Sequence, residues 1–422
     1  MIHHLTEHQL QSSFKQLVRR GSLSVITASG RRCDFGDGGT PRVQLRFTDA
    51  RALLALLLDP DLQFGELFMD GRLVVEQGSI YDALELLLRD AKAVKPNLAV
   101  RIYDAIRMRL RHVLQRNLPG RSRANVAHHY DLDDRLYDLF LDSERQYSCA
   151  YFDPPGITLE EAQCAKQRHI AAKLLIAPGL RVLDIGCGWG GMAHYLATVA
   201  GAAHVTGITL SEEQVAVARR LGAASPAANQ LDYRLEDYRR TAQNEAGRYD
   251  RIVSVGMFEH VGLGFHDAYF RSCHALLNDD GVMLLHFIGN SDVPDFNNPW
   301  IEKYIFPGGH IPSLSECLPA IERSGLIVTD IEILRLHYAQ TLRLWRERFL
   351  ARRDEALAMY DERFCRMWEF YLAMSEAAFR YQDIAIFQIQ LAKRQELVPL
   401  TRNYVGKREA ELRTREAALK GL

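Results

Sequence analysis

The chain has 422 residues, 47% of them hydrophobic, which is enough for two domains or for one domain with large insertions. Its 52 basic and 53 acidic residues give a formal net charge of -1, so there is no global basic field and no nucleic-acid partner is expected. The seven cysteines form no CxxC pair, which argues against a zinc site or any other metal site and against a disulfide framework.

The start of the chain lacks the basic and apolar regions of a secretory signal. No stretch of 18 uninterrupted apolar residues occurs, so no membrane-spanning helix is predicted. We therefore expect a cytoplasmic protein with free thiols that meets a membrane, if at all, at its surface.

Residues 1–90 mix short strand-like runs with apolar helical stretches. The runs at 23–27 and 42–47 predict strands, and an Asp-Gly-Gly turn lies between them. The stretches 52–58 and 80–88 predict helices. The sequence therefore predicts a small α+β domain at the N-terminus.

Residues 91–125 contain many basic residues and a single acid, Asp104. An apolar residue recurs every fourth position from Leu98 to Leu110, which predicts a helix with an apolar stripe. A basic amphipathic helix can lie on an anionic membrane leaflet. The alternative is a solvated linker helix whose stripe packs on the protein, and the sequence favours this simpler interpretation.

Residues 126–395 alternate apolar runs of strand length with helical segments. This alternation predicts a doubly wound, mostly parallel α/β sheet with helices on both faces. The remaining residues, 396–422, form a charged tail that is helical in pattern and is expected to be peripheral. The four clearest runs are residues 181–185, 204–208, 251–255 and 282–287.

A glycine-rich turn follows the first of these runs. Asp184 precedes the first glycine, and the order is GxGxGG rather than the GxGxxG of dinucleotide-binding proteins. Glycines allow a sharp turn and a close approach of the backbone to a ligand. In a doubly wound sheet, that ligand lies beyond the carboxyl ends of the strands.

Two further signatures accompany this turn: the segment 207–211 followed by Gln214, and the Tyr249-Asp250 pair that begins the third run. Together the three resemble the motifs of class I S-adenosylmethionine (SAM)-dependent methyltransferases, so the resemblance implies SAM as the cofactor. It places the methionine end near Tyr147 and Ser148, the ribose near Thr209 to Gln214, and the adenine near Glu236 and Asp237. The complete set implied to bind SAM is Tyr147, Ser148, Asp184, Gly186, Cys187, Gly188, Gly190, Thr209, Leu210, Gln214, Glu236 and Asp237.

Segments outside the SAM motifs extend the resemblance over nearly the whole chain. They are similar in order and spacing to the cyclopropane-fatty-acyl-phospholipid synthases and the related mycolic acid enzymes. The N-terminal segment 65–71 resembles the bacterial synthases in particular. The remaining segments are residues 125–131, 147–152, 257–262, 285–289, 304–309, 337–342 and 379–384.

The chemistry implied by this family makes definite demands on the site. An alkene attacks the SAM methyl group and leaves a positive charge on the acyl chain, and a base then removes a proton as the ring closes. The site must stabilise a cation and exclude water. The resemblance implies bicarbonate as the base, with ligands at Cys149, Glu259, His286, Tyr338 and the backbone of Ile288.

Each of these residues also has a structural interpretation when it is considered alone. Glu259 could be an acid at a helix start, His286 a satisfied strand histidine, and Cys149 a small buried apolar residue. His260, next to Glu259, is expected to be structural. One position departs from the family pattern: Ser375 stands where the family often has a cysteine, and methyl transfer to an alkene needs no protein nucleophile there.

The implied substrate is an unsaturated acyl chain of a membrane phospholipid. The resemblance also implies a homodimer that is peripheral on the inner membrane surface, with the N-terminal domain serving lipid docking or dimerisation. The alternative within this family is a methylene or methyl branch instead of a ring. A small-molecule N- or O-methyltransferase and a non-enzymatic lipid-binding protein are less favoured, because the glycine loop, Glu259 and the bicarbonate ligand set are all present.

Overall fold

The computed structural model describes residues 11–93 and 133–420, and the chain divides into two compact units. The predicted basic helix at 91–125 lies outside the described residues, apart from a 3-10 turn at Ala91–Ala93. The family segment 125–131 also lies outside them. These predictions therefore stay predictions.

The first unit contains the described residues of Met1–Leu110 together with Asn297–Pro307 and Leu342–Ile384. Its four-stranded sheet has the order β2-β1-β3-β4, in which β1 is antiparallel to β2 and parallel to β3. The predicted strands correspond to β1 and β3. The strand bounds are β1 Ser22–Ile26, β2 Arg32–Gly36, β3 Arg42–Phe47 and β4 Leu73–Gln77.

Helices cover this sheet, and the long helix Glu362–Tyr381 packs against both Pro60–Met69 and Ile80–Leu88. Trp300 is fully buried here, and its ring lies 4.7 Å from that of Phe370. The sequence predicts both residues in the 126–395 domain, whereas in the structure they belong to the same unit as the N-terminal segment. Further helices of the unit are residues 11–17, Ala50–Leu58, Pro299–Tyr304 and Arg353–Met359.

The second unit contains a seven-stranded sheet in the order β10-β11-β9-β8-β5-β6-β7. Neighbouring strands from β9 to β7 are parallel, and β10 is antiparallel to β11. The mostly parallel α/β fold is thereby confirmed. The strand bounds are β5 Arg181–Ile185, β6 His204–Thr209, β7 Leu231–Leu235, β8 Tyr249–Val255, β9 Leu277–Asn290, β10 Ile327–Ile333 and β11 Ile384–Ala392.

The sheet is buried on both faces. Val182 and Leu284 belong to one hydrophobic cluster, while the next residues along their strands, Leu183 and Leu285, belong to the other. Successive side chains of a strand point to opposite faces, so helices must cover both. The helices are Asp134–Asp138, Leu159–Lys173, Gly191–Thr198, Glu212–Ala223, Tyr238–Asn244, His266–Leu276, Leu314–Ser324 and Asn403–Lys420. The helix His337–Ala351 begins in this unit, and its residues from Leu342 onward belong to the first unit.

The C-terminal helix Asn403–Lys420 packs on Leu159–Lys173 and is not peripheral. Leu412 is fully buried, and Glu416 pairs with Arg168 at 2.6 Å. The predicted peripheral position was wrong for this helix because much of its contact is made by ion pairs, which leave no apolar stripe in the sequence. Among the described residues, no helix has the length and apolar character needed to cross a bilayer.

Candidate active site

A cleft lies beyond the carboxyl ends of the central parallel strands, where ligands bind in doubly wound sheets. It contains about 1200 Å³ of empty space, open solvent included. Residues that follow β5, β6, β7 and β8 line it. Of the residues predicted to bind SAM, all but Gly190 line the cleft. They are Tyr147, Ser148, Asp184, Gly186, Cys187, Gly188, Thr209, Leu210, Gln214, Glu236 and Asp237.

The glycine loop after β5 has specific steric reasons for its composition. Gly186 has a φ of 83°, and a Cβ atom there would lie 2.7 Å from Met257 Cβ. Gly190 has a φ of 92°, and its Cβ atom would lie 2.8 Å from Tyr233 Oη. Both positions therefore require glycine, but Gly190 allows close packing against Tyr233 rather than lining the cleft.

Asp184 is the acid at the carboxyl end of β5. Its side chain is buried, and burial raises its pKa to about 7. Within the described residues, its Oδ2 atom has no hydrogen-bond partner although it lines the cleft. A buried acceptor left unsatisfied in a cleft indicates a polar group of a ligand.

The second motif is held by local hydrogen bonds at a helix start. Ser211 caps the helix Glu212–Ala223, and its Oγ accepts from Gln214 N at 3.2 Å. Thr209 Oγ1 donates to Gln214 Oε1 at 3.0 Å. Because the amide oxygen is thus occupied, the amide NH2 of Gln214 is left as the group that can donate elsewhere.

The residues placed near the adenine lie after β7. Glu236 N donates to Thr209 O at 3.1 Å, which fixes this loop beside the second motif. Asp237 caps the helix Tyr238–Asn244 and pairs with Arg239 at 2.7 Å. Both Asp237 and Arg239 line the cleft, so the carboxylate is already partly neutralised there.

Lys166 is the main residue of the cleft that the sequence analysis missed. It is 1% exposed, and its Nζ donates to Gln146 Oε1 at 2.6 Å and to Ser148 Oγ at 2.8 Å. Burial lowers its pKa to about 8. The sequence carries no signal for this burial, because the polar Gln167 and Arg168 follow Lys166 and a lysine among them is usually exposed. His260, expected to be structural, also lines the cleft.

Glu259 and Ile288 meet at the ends of two adjacent strands. Glu259 lies in the 3-10 turn Phe258–His260 after β8, and Ile288 lies in β9. Ile288 N donates to Glu259 Oε1 at 2.7 Å. Glu259 Oε2 is buried and has no partner in the described part of the chain. Burial raises the pKa of this carboxyl to about 7, against the lowering effect of the Ile288 amide.

His286 precedes Ile288 by two residues on β9 and is 1% exposed. Its Nδ1 atom lies 3.1 Å from Gln388 Nε2, whereas no described residue is a partner for its Nε2 atom. Burial lowers its pKa to about 3, and the nearby Lys166 and Lys173 cations lower it further. The imidazole is therefore neutral at physiological pH.

Cys149 and Tyr338 are linked through one helix, His337–Ala351. Ala150 N donates to Thr341 Oγ1 at 3.1 Å, and Thr341 lies three residues after Tyr338. Cys149 is fully buried, and burial raises the pKa of its thiol. Lys166 is close enough to lower the pKa of both Cys149 and His286. The ligand role of this group stays a prediction.

Comparisons with known proteins agree with these observations. Residues 119–389 match the family described as mycolic acid cyclopropane synthetase. The chain is 36% identical over 366 residues to the cyclopropane-fatty-acyl-phospholipid synthase of Escherichia coli strain K12, covering 86% of this chain and 91% of that one. It is 39% identical over 285 residues to a tuberculostearic acid methyltransferase of Mycobacterium tuberculosis, covering 64% and 65%.

A solved structure of a mycolic acid cyclopropane synthase, in complex with SAH and CTAB, is 35% identical. It covers 64% of this chain and 97% of its own, with a TM-score of 0.59. The glycine loop, the cleft at the strand ends and this likeness agree with one another. The chain therefore belongs to the cyclopropane synthase family and is a SAM-dependent methyltransferase.

Proposed function

We propose that this enzyme transfers the methyl carbon of SAM to the cis double bond of an unsaturated phospholipid acyl chain, and that a cyclopropane ring closes with bicarbonate as the base. The observation that carries this proposal is that two buried atoms, Glu259 Oε2 and His286 Nε2, are unsatisfied among the described residues, while Glu259 bonds to Ile288, two residues after His286 on β9. Glu259 lies between Met257 and His260 in the chain, and both of these residues line the SAM cleft.

The residues present fit a small oxyanion that also carries a proton. His286 Nε2 is a nitrogen position that can donate a hydrogen bond to the anion, and Glu259 Oε2 of the ionised carboxylate can accept one. The Ile288 amide already donates to Glu259 Oε1 and so holds the carboxylate in place. Unsatisfied buried polar atoms are costly, so a polar ligand that pairs with them is favoured. When bound, SAM supplies the methyl carbon and bicarbonate supplies the base.

The protein's own residues protect a cation from capture. The Cys149 thiol is fully buried and its raised pKa keeps it protonated, so it presents no thiolate to the acyl chain. The neutral His286 adds no positive charge near the reacting carbon. Burial of both side chains also limits the access of water, which would otherwise convert the cation to an alcohol.

We further propose a homodimer that is peripheral on the inner, cytoplasmic membrane surface. The support is the basic segment 91–125, whose positive charge can attract anionic lipids. Changing Arg107, Arg109 and Arg111 to Glu should weaken co-sedimentation with anionic vesicles. Co-sedimentation that is unchanged by the three substitutions would contradict this role.

A methyl or methylene branch is the second candidate product. One relative is named a methyltransferase rather than a cyclopropane synthase. If a hydride shift first moves the cation to the methylated carbon, loss of a proton from the added methyl group would leave a methylene branch, and loss of a proton from a chain carbon would leave a methyl branch, without any change of fold or cofactor. A base held by Glu259 and His286 favours the ring, because a base already in place can remove the methyl proton before a hydride shift occurs.

Proton NMR of the acyl chains tests the proposal after purified enzyme is incubated with SAM, bicarbonate and monounsaturated phospholipid vesicles. We expect signals in the upfield cyclopropane region. Vinylic methylene signals would contradict the ring and retain the SAM and lipid assignments. Mass alone does not distinguish the two products, because ring closure and a methylene branch add the same atoms.

A further inference from the structure

A chain of hydrogen bonds lies behind His286, on the side away from its unsatisfied Nε2 atom. Three neighbouring strands, β10, β11 and β9, contribute Glu332, Gln388 and His286. Lys173, the last residue of the helix Leu159–Lys173, donates from Nζ to Gln388 Oε1 at 2.9 Å and also to Glu332 Oε2. None of these contacts involves the SAM cleft.

The chemistry of these groups fixes the direction of each hydrogen bond. The ammonium of Lys173 can only donate, so the atom of Gln388 that faces it must be the amide oxygen. The amide NH2 of Gln388 then faces His286 Nδ1 at 3.1 Å and must donate to it. A ring nitrogen that accepts a hydrogen bond carries no proton, so in the neutral ring the proton is on Nε2.

We propose that Lys173 and Gln388 are positioning residues that hold His286 as its Nε2–H tautomer, so that His286 donates a hydrogen bond to the bound anion instead of acting as a base. The identity of that anion as bicarbonate rests on the proposed function. The tautomer itself follows from the hydrogen bonds and does not depend on which product the enzyme makes.

Burial lowers the pKa of Lys173, and the carboxylates of Glu332 and Asp330 oppose that effect and favour the ammonium form. Glu332 bonds to His169 Nε2 at 2.7 Å, and His169 Nδ1 lies 2.7 Å from Glu409. The His169 and Lys173 partners lower the pKa of Glu332 to about 2 despite its burial, so it stays an anion beside the lysine. Three neighbouring strands of one sheet carry these hydrogen-bonded side chains, so the sheet fixes their relative positions.

Burial and the charged groups around His286 together explain why the ring stays neutral. Burial lowers its pKa most, Lys166, Lys173 and His169 lower it further, and Glu332 opposes them. A neutral Nε2–H donor binds the anion less tightly than a charged imidazolium would. His286 therefore orients the base and leaves proton removal to the anion.

The test is nitrogen-15 NMR of histidine-labelled enzyme, in which long-range proton couplings distinguish the two ring tautomers. The His286 signal is assigned by its loss in His286→Gln. We expect the Nε2–H pattern in the wild-type chain. An Nδ1–H pattern there would overturn the inference, even if the enzyme forms cyclopropane product.

Gln388→Glu supplies the sharper variant because it preserves size and can still pair with Lys173. Its carboxylate accepts instead of donating, so His286 should become protonated at Nδ1. We expect kcat to fall by about 10- to 100-fold and the bicarbonate concentration for half-maximal rate to rise, with the Kd for SAM unchanged. An unchanged tautomer and kcat in folded Gln388→Glu would overturn the proposal.

Gln390→Glu is the matched control for the cost of a buried charge. Gln390 lies two residues further along β11 and is 1% exposed. It donates to Tyr404 Oη at 2.8 Å and to the backbone oxygen of Lys173 at 2.5 Å, and not to His286, so it controls for a buried charge beside the same lysine. In Gln390→Glu we expect the nitrogen-15 signal of His286 to keep the Nε2–H pattern. If the proposed function fails, no ring product forms in any variant while the tautomer remains readable, so the two failures are distinguishable.

Discussion

The SAM cleft and the buried Glu259–His286 group differ in how the chain builds them. Short continuous segments at the ends of β5 to β8 line most of the cleft. The buried group depends on contacts between distant residues, such as His286 with Gln388, 102 positions apart. A site made by local segments leaves a signature in the sequence, whereas a site made by long-range hydrogen bonds does not.

The two regions share one helix, Leu159–Lys173, which contributes Lys166 to the cleft and Lys173 to the chain behind His286. If they are separate in function, substitutions in one should spare the other. Substitutions that disturb the shared helix should instead affect both. The predictions below use this difference, beginning with the largest expected effect.

Glu259→Gln should lower the rate of product formation by about 10²- to 10⁴-fold, because it removes the carboxylate that accepts from Ile288 N and faces the buried group. The substitution preserves size, and Glu259 is not among the cleft-lining residues, so the Kd for SAM should not change. Isothermal titration measures the Kd for SAM, and a product assay measures the rate of product formation. A parallel loss of SAM binding would show that the two regions are not separate.

Gly186→Ala should weaken SAM binding by about 100-fold or more. It combines the cost of a positive φ, about 1–2 kcal/mol, with a clash against Met257 Cβ. Gly188→Ala is the matched control, because its φ is also positive while nothing lies within 4 Å of the added atom. Gly188→Ala should weaken SAM binding by only about tenfold, because it introduces backbone strain without a clash. Equal losses would mean that the clash is relieved by movement of Met257.

Glu416→Ala should lower the free energy of unfolding by roughly 3 kcal/mol, because it leaves the buried Arg168 charge on the shared helix without its partner. Glu411→Ala breaks an ion pair on the same C-terminal helix whose carboxylate is 60% exposed, so it should cost less than about 1 kcal/mol. Denaturant unfolding of both variants tests this. Similar values would indicate that the Arg168 pair is solvated.

A change of pH should affect a different constant in each region, kcat through Glu259 and the Kd for SAM through Asp184. Burial raises the pKa of Glu259 to about 7, so below that pH the group is increasingly protonated and one of its oxygens becomes a donor instead of an acceptor. We expect kcat at fixed bicarbonate concentration to fall about tenfold per unit below pH 7. Asp184 also has a pKa raised to about 7, and its ionisation should instead alter the Kd for SAM. A kcat profile that is unchanged in Glu259→Gln would contradict the assignment.

Local pattern predicted the parts of the fold that position the cleft. The run at 181–185 is β5 with the same bounds, and the runs at 204–208 and 251–255 lie within β6 and β8. β11 was not predicted as a strand, although it is almost wholly buried, because Gln388 and Gln390 interrupt its apolar pattern. Those glutamines are satisfied only by groups from distant parts of the chain.

The candidate site was predicted unequally for the same reason. The glycine loop and the second motif indicated their ligand class from the spacing of residues, and only Gly190 fell outside the cleft lining. Glu259, His286, Cys149 and Tyr338 came from the family resemblance, since each alone has an ordinary structural interpretation. Lys166 and Lys173 were not predicted, because a buried lysine cannot be told from a surface lysine before its partners are known.

The most direct measurement is the rate of cyclopropane formation in buffer depleted of carbon dioxide, with and without added bicarbonate. We predict that depletion lowers the wild-type rate by about tenfold or more and that bicarbonate restores it, while the Kd for SAM is unchanged. Glu259→Gln should show no such stimulation. Ring formation at the full rate without bicarbonate would contradict the role given to Glu259 and His286.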